Sequence, residues 1–145
     1  MENDKAGCFA AEKITNFFVP MMPPTVTHQE KKISVRNGKP IVYEPPELKD
    51  ARAKLEAHIA HFAPKNPLEC AVRLMVKWCF PVTAKHSNGE YKITKPDTDN
   101  LQKLLKDVMT TLGFWKDDAL VCSEIVEKFY SDVPGIYIVV ERLGD

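Results

Sequence analysis

The chain predicts an α+β fold: one domain with two main helices packed against a mixed or antiparallel sheet. Three observations carry this. Two segments, 47–62 and 98–112, repeat apolar residues at helical spacing. Residues 69–80 alternate in the manner of a half-buried strand. The elements follow in the order strand, hairpin, helix, strand, helix, strand, strand, which mixes both element types without a regular βαβ repeat. At 145 residues the chain suits one domain with a substantial core.

The first strand is expected over Lys13–Pro20, where Ile14, Phe17, Phe18 and Val19 cluster. A loop rich in Pro and Thr follows at 21–29. Lys32–Val35 and Ile41–Tyr43 flank Asn37-Gly38, a dipeptide that favours the tight turn of a hairpin. Pro45-Pro46 opens the first helix, because proline suits a first helical turn. Leu48, Ala51, Leu55, Ile59 and Phe62 form its stripe, and Pro64 and Pro67 end it. In the Glu69–Phe80 strand, Val72, Leu74, Val76, Trp78 and Phe80 share one face. Arg73, Met75, Lys77 and Cys79 take the other. A polar loop, 81–95, leads to the second helix at Thr98–Leu112. Its core stripe is Leu101, Leu104, Leu105, Val108, Met109 and Leu112. Asp99, Lys103, Lys106, Asp107 and Thr110 lie opposite, and Gly113 is placed to end it. Leu120–Tyr130 and Ile136–Arg142 read as two closing strands joined through Val133-Pro134-Gly135.

Composition is that of an ordinary globular chain, 44% hydrophobic and 28% charged. No apolar run approaches a membrane span, and no secretory signal is visible. Residues 1–12 read as a flexible tail ahead of a domain at 13–145. Cys8, Cys70, Cys79 and Cys122 are scattered without a CxxC pair, so reduced, mostly buried thiols of a cytoplasmic protein are expected. Formal net charge is zero, which does not advertise nucleic-acid binding. The distribution is less even. Between Arg73 and Lys116 eight Lys or Arg face only Glu90, Asp97, Asp99 and Asp107. A solvated mixed-charge face is one reading of that. If the acids hold metal, the surface left by Lys77, Lys85, Lys92, Lys95, Lys106 and Lys116 is net positive, which is the other.

The chemistry concentrates around the second helix. Asp97 and Asp99 stand at its mouth, and Asp117 and Asp118 just past its end. An Asp before a helix is commonly a cap, but two cannot both be the N-cap residue. If the chain folds back, both pairs enter one site. Two carboxylates at ~4 Å repel by about 4 kcal/mol at an effective dielectric of ~20, and such clusters are relieved by a proton or a divalent cation. Oxygen ligands without His or Cys favour Mg²⁺, with Mn²⁺ able to substitute. Lys103, one turn after Asp99, is either half of a surface pair with Asp107 or a cation that steadies a phosphate oxygen. Phe114-Trp115 would anchor the second acid pair. His58 and His61 lack a third neighbour in sequence and make no zinc set. His28 and His86 sit in loops, within reach of phosphates but with nothing requiring that role.

Taken together, Lys95-Pro-Asp-Thr-Asp-Asn-Leu-Gln-Lys103, Asp107 and Gly113-Phe-Trp-Lys-Asp-Asp118 closely resemble the signature of the RusA family of Holliday junction resolvases. The resemblance extends more loosely over residues 14–142. It implies a homodimeric, Mg²⁺-dependent endodeoxyribonuclease that cuts symmetrically across four-way DNA junctions and is typically encoded by phages and prophages. By motif position the essential acids are Asp97, Asp99 and Asp118, and Lys103 is the catalytic lysine. Asp117 and Asp107 match the pattern with less defined roles. The chain departs from the basic members of the family. Where they carry an Arg-rich patch, it reads Thr25-Val-Thr-His-Gln29 in the N-terminal loop, and Pro96 precedes Asp97. Two other readings stand beside this one: a metal-dependent flap or branch nuclease, and a junction-binding module without catalysis.

Overall fold

A computed structural model of the chain describes residues 12–27 and 32–144. The expected tail, apart from Glu12, lies outside the described residues, as do Cys8 and His28. The elements run β1 (Ile14–Val19), β2 (Lys32–Arg36), β3 (Lys39–Tyr43), α1 (Pro46–Ile59), β4 (Val72–Pro81), α2 (Thr98–Thr111), β5 (Val121–Ser131) and β6 (Gly135–Arg142). Short 3₁₀ turns at Ala60–Phe62 and Asp118–Leu120 extend α1 and precede β5. The fold is the expected single α+β arrangement.

Four strands form one mixed sheet in the order β1-β6-β4-β5. β6 runs antiparallel to both β1 and β4, and β5 runs parallel to β4. The closing strands are therefore not neighbours: β4 lies between them. β2 and β3 form a separate hairpin whose turn residues Asn37 and Gly38 have φ of 52° and 75°, the pair of positive values that a tight hairpin turn demands. The hairpin leaves Ile33, Val35, Ile41 and Tyr43 exposed.

β4 alternates as its sequence does. Val72, Leu74, Val76 and Trp78 are fully buried, and Arg73, Met75 and Lys77 are half-buried on the opposite face. The buried row joins Leu48, Leu55 and Ile59 of α1 and Leu101, Leu104, Leu105, Val108 and Met109 of α2 in one core. Each such side chain contributes roughly 1.5–3 kcal/mol by leaving water. Of the three described cysteines only Cys79 is buried. Cys70 is half-buried and Cys122 exposed, so the expectation of mostly buried thiols does not hold for the described cysteines. No described helix is long and apolar enough to cross a membrane.

One feature of the topology sets the site. Parallel β4 and β5 must be joined by a crossover, and α2 is that crossover. The helix therefore starts near the late residues of β4 and returns the chain to the start of β5.

Candidate active site

The N-terminal end of α2 carries Asp97 and Asp99. Asp97 occupies the N-cap position with extended backbone (φ −73°, ψ 149°), and its carbonyl accepts from Leu101 N at 3.0 Å. Its carboxylate, however, makes no capping hydrogen bond. The side chain is exposed and uncommitted to the helix. Asp99 sits in the first turn, where the helix dipole favours an anion. One of its oxygens accepts from Asn100 N at 3.0 Å. Below the pair, Gln102 is buried and satisfied on both sides. It accepts from the Trp78 indole Nε1 at 2.7 Å and donates to Glu124 at 2.8 Å. Lys106 donates to the other oxygen of Glu124 at 3.1 Å. Asp99, Gln102, Lys106 and Glu124 line one concavity.

Lys103 projects into solvent with 57% of its side chain exposed, 3.6 Å from Asp107. An exposed pair at that separation is worth well under ~1 kcal/mol, so the ammonium remains available to a phosphate.

The C-terminal end of α2 is built from backbone. Gly113 takes φ 85°. Its N–H donates to Thr110 O and that of Phe114 to Met109 O, each at 3.0 Å. These are the two bonds of a Schellman reversal. Trp115 is buried, and its Nε1 donates to Thr110 Oγ1 at 2.7 Å. Leu68 N donates to Phe114 O and Lys116 N to Leu68 O, both at 3.0 Å, which ties this segment to the approach to β4. Asp117 then caps the 3₁₀ turn, accepting from Ala119 N at 2.8 Å. Asp118 is half-buried. Both line a cleft with Arg52, Asp107, Thr110, Thr111 and Lys116.

The two acid pairs do not meet within one chain. They stand at opposite ends of a 14-residue helix, about 21 Å long at ~1.5 Å per residue. Among the described residues no three His, Cys, Asp or Glu side chains are placed to hold one metal ion. The fold-back that would gather Asp97, Asp99, Asp117 and Asp118 does not occur inside the subunit, because a parallel crossover needs the full length of α2 between them.

The expected cations are divided. Lys85 and Lys95 are exposed, and Lys77 is half-buried on the outer face of β4. Lys92 donates to Thr94 Oγ1 at 2.8 Å and lies 5.1 Å and 5.3 Å from the Phe80 and Tyr130 ring centres. Lys106 pairs with Glu124, and Lys116 with Glu69 at 3.5 Å. His86 stacks on Tyr130 at 4.5 Å and bonds Glu90 at 2.5 Å, a contact that holds the Glu90 carboxyl below its usual range.

The comparisons with known proteins agree with the motif. The family described as Endodeoxyribonuclease RusA matches residues 21–141. The chain belongs to the RusA family. It is 31% identical over 97 residues to the crossover junction endodeoxyribonuclease rusA of Lactococcus phage r1t, covering 66% of this chain and 72% of that one. It is 29% identical over 122 residues to the uncharacterized protein YqaN of Bacillus subtilis (strain 168), covering 77% and 85%.

In this RusA-family chain two cations near the acids were not legible in the sequence. Arg52 of α1 makes a bidentate pair with Glu44 at 2.9 and 3.2 Å. The bond to Glu44 raises its pKa, and Asp107 adds to the effect. Lys128 of β5 reaches the loop before Asp97, donating to the carbonyls of Thr94 and Pro96. Arg52 lies 65 positions before Asp117 in the sequence and Lys128 31 positions after Asp97. No local spacing could have connected either with the acids.

Proposed function

We propose that the protein is a homodimeric, Mg²⁺-dependent endodeoxyribonuclease that cuts four-way DNA junctions symmetrically. The observation that carries this is the state of the acids. Asp97 holds the N-cap position without capping, and the Asp118 carboxylate forms no hydrogen bond or ion pair among the described residues. Carboxylates kept accessible and unspent on rigid elements are suited to ligation. The donor set is all oxygen, which fits a hard divalent cation.

The set is incomplete in one subunit, and a two-fold partner supplies the remedy. Asp97 and Asp99 of one chain, with Asp118 of the partner subunit, would hold the ion. Two-fold symmetry makes two such sites at once, matching the approximate two-fold symmetry of a four-way junction. A bound divalent ion there supplies an activated water and Lewis-acid polarisation of the phosphate. Lys103, one turn from Asp99, steadies a non-bridging phosphate oxygen as charge develops. Asp117 keeps the 3₁₀ turn closed and so fixes Asp118. Exposed lysines, Lys85 and Lys95 among them, contact phosphates and give an affinity that falls with salt.

The neutral net charge favours a second reading, a branch or flap nuclease without junction preference. A cleavage assay on four-way, flap and linear substrates, with Mg²⁺ and with EDTA, decides. Paired, symmetric cuts in the four-way substrate with Mg²⁺ are expected. Equal cutting of flaps selects the second reading. Junction binding with no cleavage at any Mg²⁺ or Mn²⁺ concentration overturns the nuclease.

A further inference from the structure

We propose that Lys128 is a positioning residue that fixes the approach to Asp97 and Asp99 by clamping two backbone carbonyls of the preceding loop. This rests on the reading of those acids as metal ligands.

The 82–97 loop leaves β4 and is stitched to the outer edge of β5 by backbone bonds. Gly89 N donates to Tyr130 O at 2.8 Å, Tyr130 N to Glu90 O at 2.9 Å and Lys92 N to Lys128 O at 3.0 Å. The stitching ends at Lys92. Among the described residues, 93–96 make no backbone–backbone hydrogen bond, yet Asp97 follows at once. The Lys128 side chain bridges that gap. Its ammonium donates to the Thr94 carbonyl and, at 2.7 Å, to the Pro96 carbonyl. Those oxygens flank Lys95, and the second belongs to the residue joined to Asp97.

A surface lysine ordinarily keeps its charge in water. Burial and the nearby Lys92 lower the pKa of Lys128, and Asp97 opposes them. The ammonium is thus held in an unfavourable place by the contacts it makes. Charge-assisted hydrogen bonds are the stronger kind, and two donors spent on main-chain oxygens are not spent on DNA. A ligand carboxylate must be held within about 0.5 Å of its working position. A tether one residue upstream supplies that constraint without touching the metal or the phosphate.

The test uses the full-length dimer with Lys128→Met, which keeps the aliphatic stem and removes the donors, and with Lys128→Arg, which restores them. Four quantities are read: the Mg²⁺ concentration for half-maximal cleavage at saturating junction, direct Mn²⁺ binding by calorimetry without DNA, junction affinity in EDTA, and the NMR backbone order parameters of residues 93–99. Lys128→Met should raise the metal requirement tenfold or more, weaken Mn²⁺ binding to match and lower the order parameters across 93–99. Junction affinity should stay within twofold, and Lys128→Arg should recover most of the loss. An unchanged metal requirement with weakened junction binding overturns the proposal, because Lys128 is then a phosphate contact. Unchanged order parameters overturn it also. If the wild type cuts no branched DNA while Lys128→Met still weakens Mn²⁺ binding and loosens 93–99, the nuclease reading fails and the clamp stands. Should Lys128→Met not fold, Lys128→Gln, too short to span both carbonyls, carries the same readouts.

Discussion

The two ends of α2 carry the same chemistry and are built in different ways. Each has a pair of aspartates, and each is pinned by a tryptophan whose indole N–H bonds a helix side chain at 2.7 Å, Trp78 to Gln102 and Trp115 to Thr110. At the N-terminal end the rest of the support is side chain: Gln102 and Lys106 on Glu124, and Lys128 on the loop carbonyls. At the C-terminal end it is mainly backbone: the Schellman reversal, the bonds between Leu68 and residues 114–116, and the Leu120 N to Asp117 O bond of the 3₁₀ turn. Side-chain support can be removed one atom group at a time. Backbone support resists substitution except where a glycine is required. The first end should therefore be the tunable one.

The largest effects test whether the ends act together. Asp97→Asn, Asp99→Asn and Asp118→Asn should each reduce cleavage by at least about a thousandfold, equivalent to ~4 kcal/mol, with junction binding largely kept. Mixed dimers then separate the arrangements. If each site draws Asp97 and Asp99 from one chain and Asp118 from the other, a dimer of Asp97→Asn with Asp118→Asn has one site carrying both changes and one carrying neither. It should nick one strand, although each parent homodimer is inactive. A site formed within each chain would leave both sites of that mixed dimer damaged, and no nicking would appear.

Lys103→Ala comes next. Loss of a transition-state contact should cost about 10²–10³ in rate at saturating junction, with affinity nearly unchanged. Normal cutting at saturation, weaker binding and a salt slope lower by about one would instead mark Lys103 as a backbone clamp.

What the sequence made legible follows from the range of the forces involved. Helical stripes, strand alternation, the Asn37-Gly38 turn and the Gly113 stop are local, and each stands where expected. The insertion of β6 between β1 and β4 depends on pairings more than 50 residues apart, such as Val76 with Ile138, and consecutive strands in the sequence gave no sign of it. The acidic motif was likewise visible as residue types. Whether its halves converge was not, because one spacing serves a chain that folds back and a crossover helix that holds them apart. The capping alternative for Asp97 needed the side-chain geometry. Gln102 looked like an ordinary polar residue beside the stripe, yet it is 4% exposed, because Trp78 and Glu124 arrive from two separate strands.

That buried glutamine gives a smaller, structural contrast between the ends. Gln102→Leu orphans the Trp78 N–H in the core and should cost about 1–3 kcal/mol. Thr110→Val removes the matching acceptor of Trp115, but Thr110 is half-buried and water has easier access, so ~1 kcal/mol is expected. Urea denaturation of both variants checks the order. Equal costs would show that the two tryptophan anchors are equivalent and would remove this difference between the ends.

Gly113→Ala should have the smallest effect on cleavage and is the most selective probe of the C-terminal end. A Cβ there would meet little, the nearest atom being Pro67 Cγ at 3.9 Å. The penalty is therefore conformational, roughly 1–2 kcal/mol for an L-residue at φ near +85°. Two responses are open to the chain. If the reversal holds, the variant loses that stability, and its metal requirement and cleavage at saturation stay near wild type. If the reversal relaxes, Phe114-Trp115 and the turn behind them shift, and Asp118 moves while Asp97 and Asp99 stay in place. The bonds of Leu68 to the 114–116 backbone and the buried indole of Trp115 hold the segment from both sides, so the first response is expected. Thermal denaturation and Mg²⁺ titration on one sample tell them apart. A tenfold rise in metal requirement would show that the backbone-built end is as tunable as the end Lys128 holds.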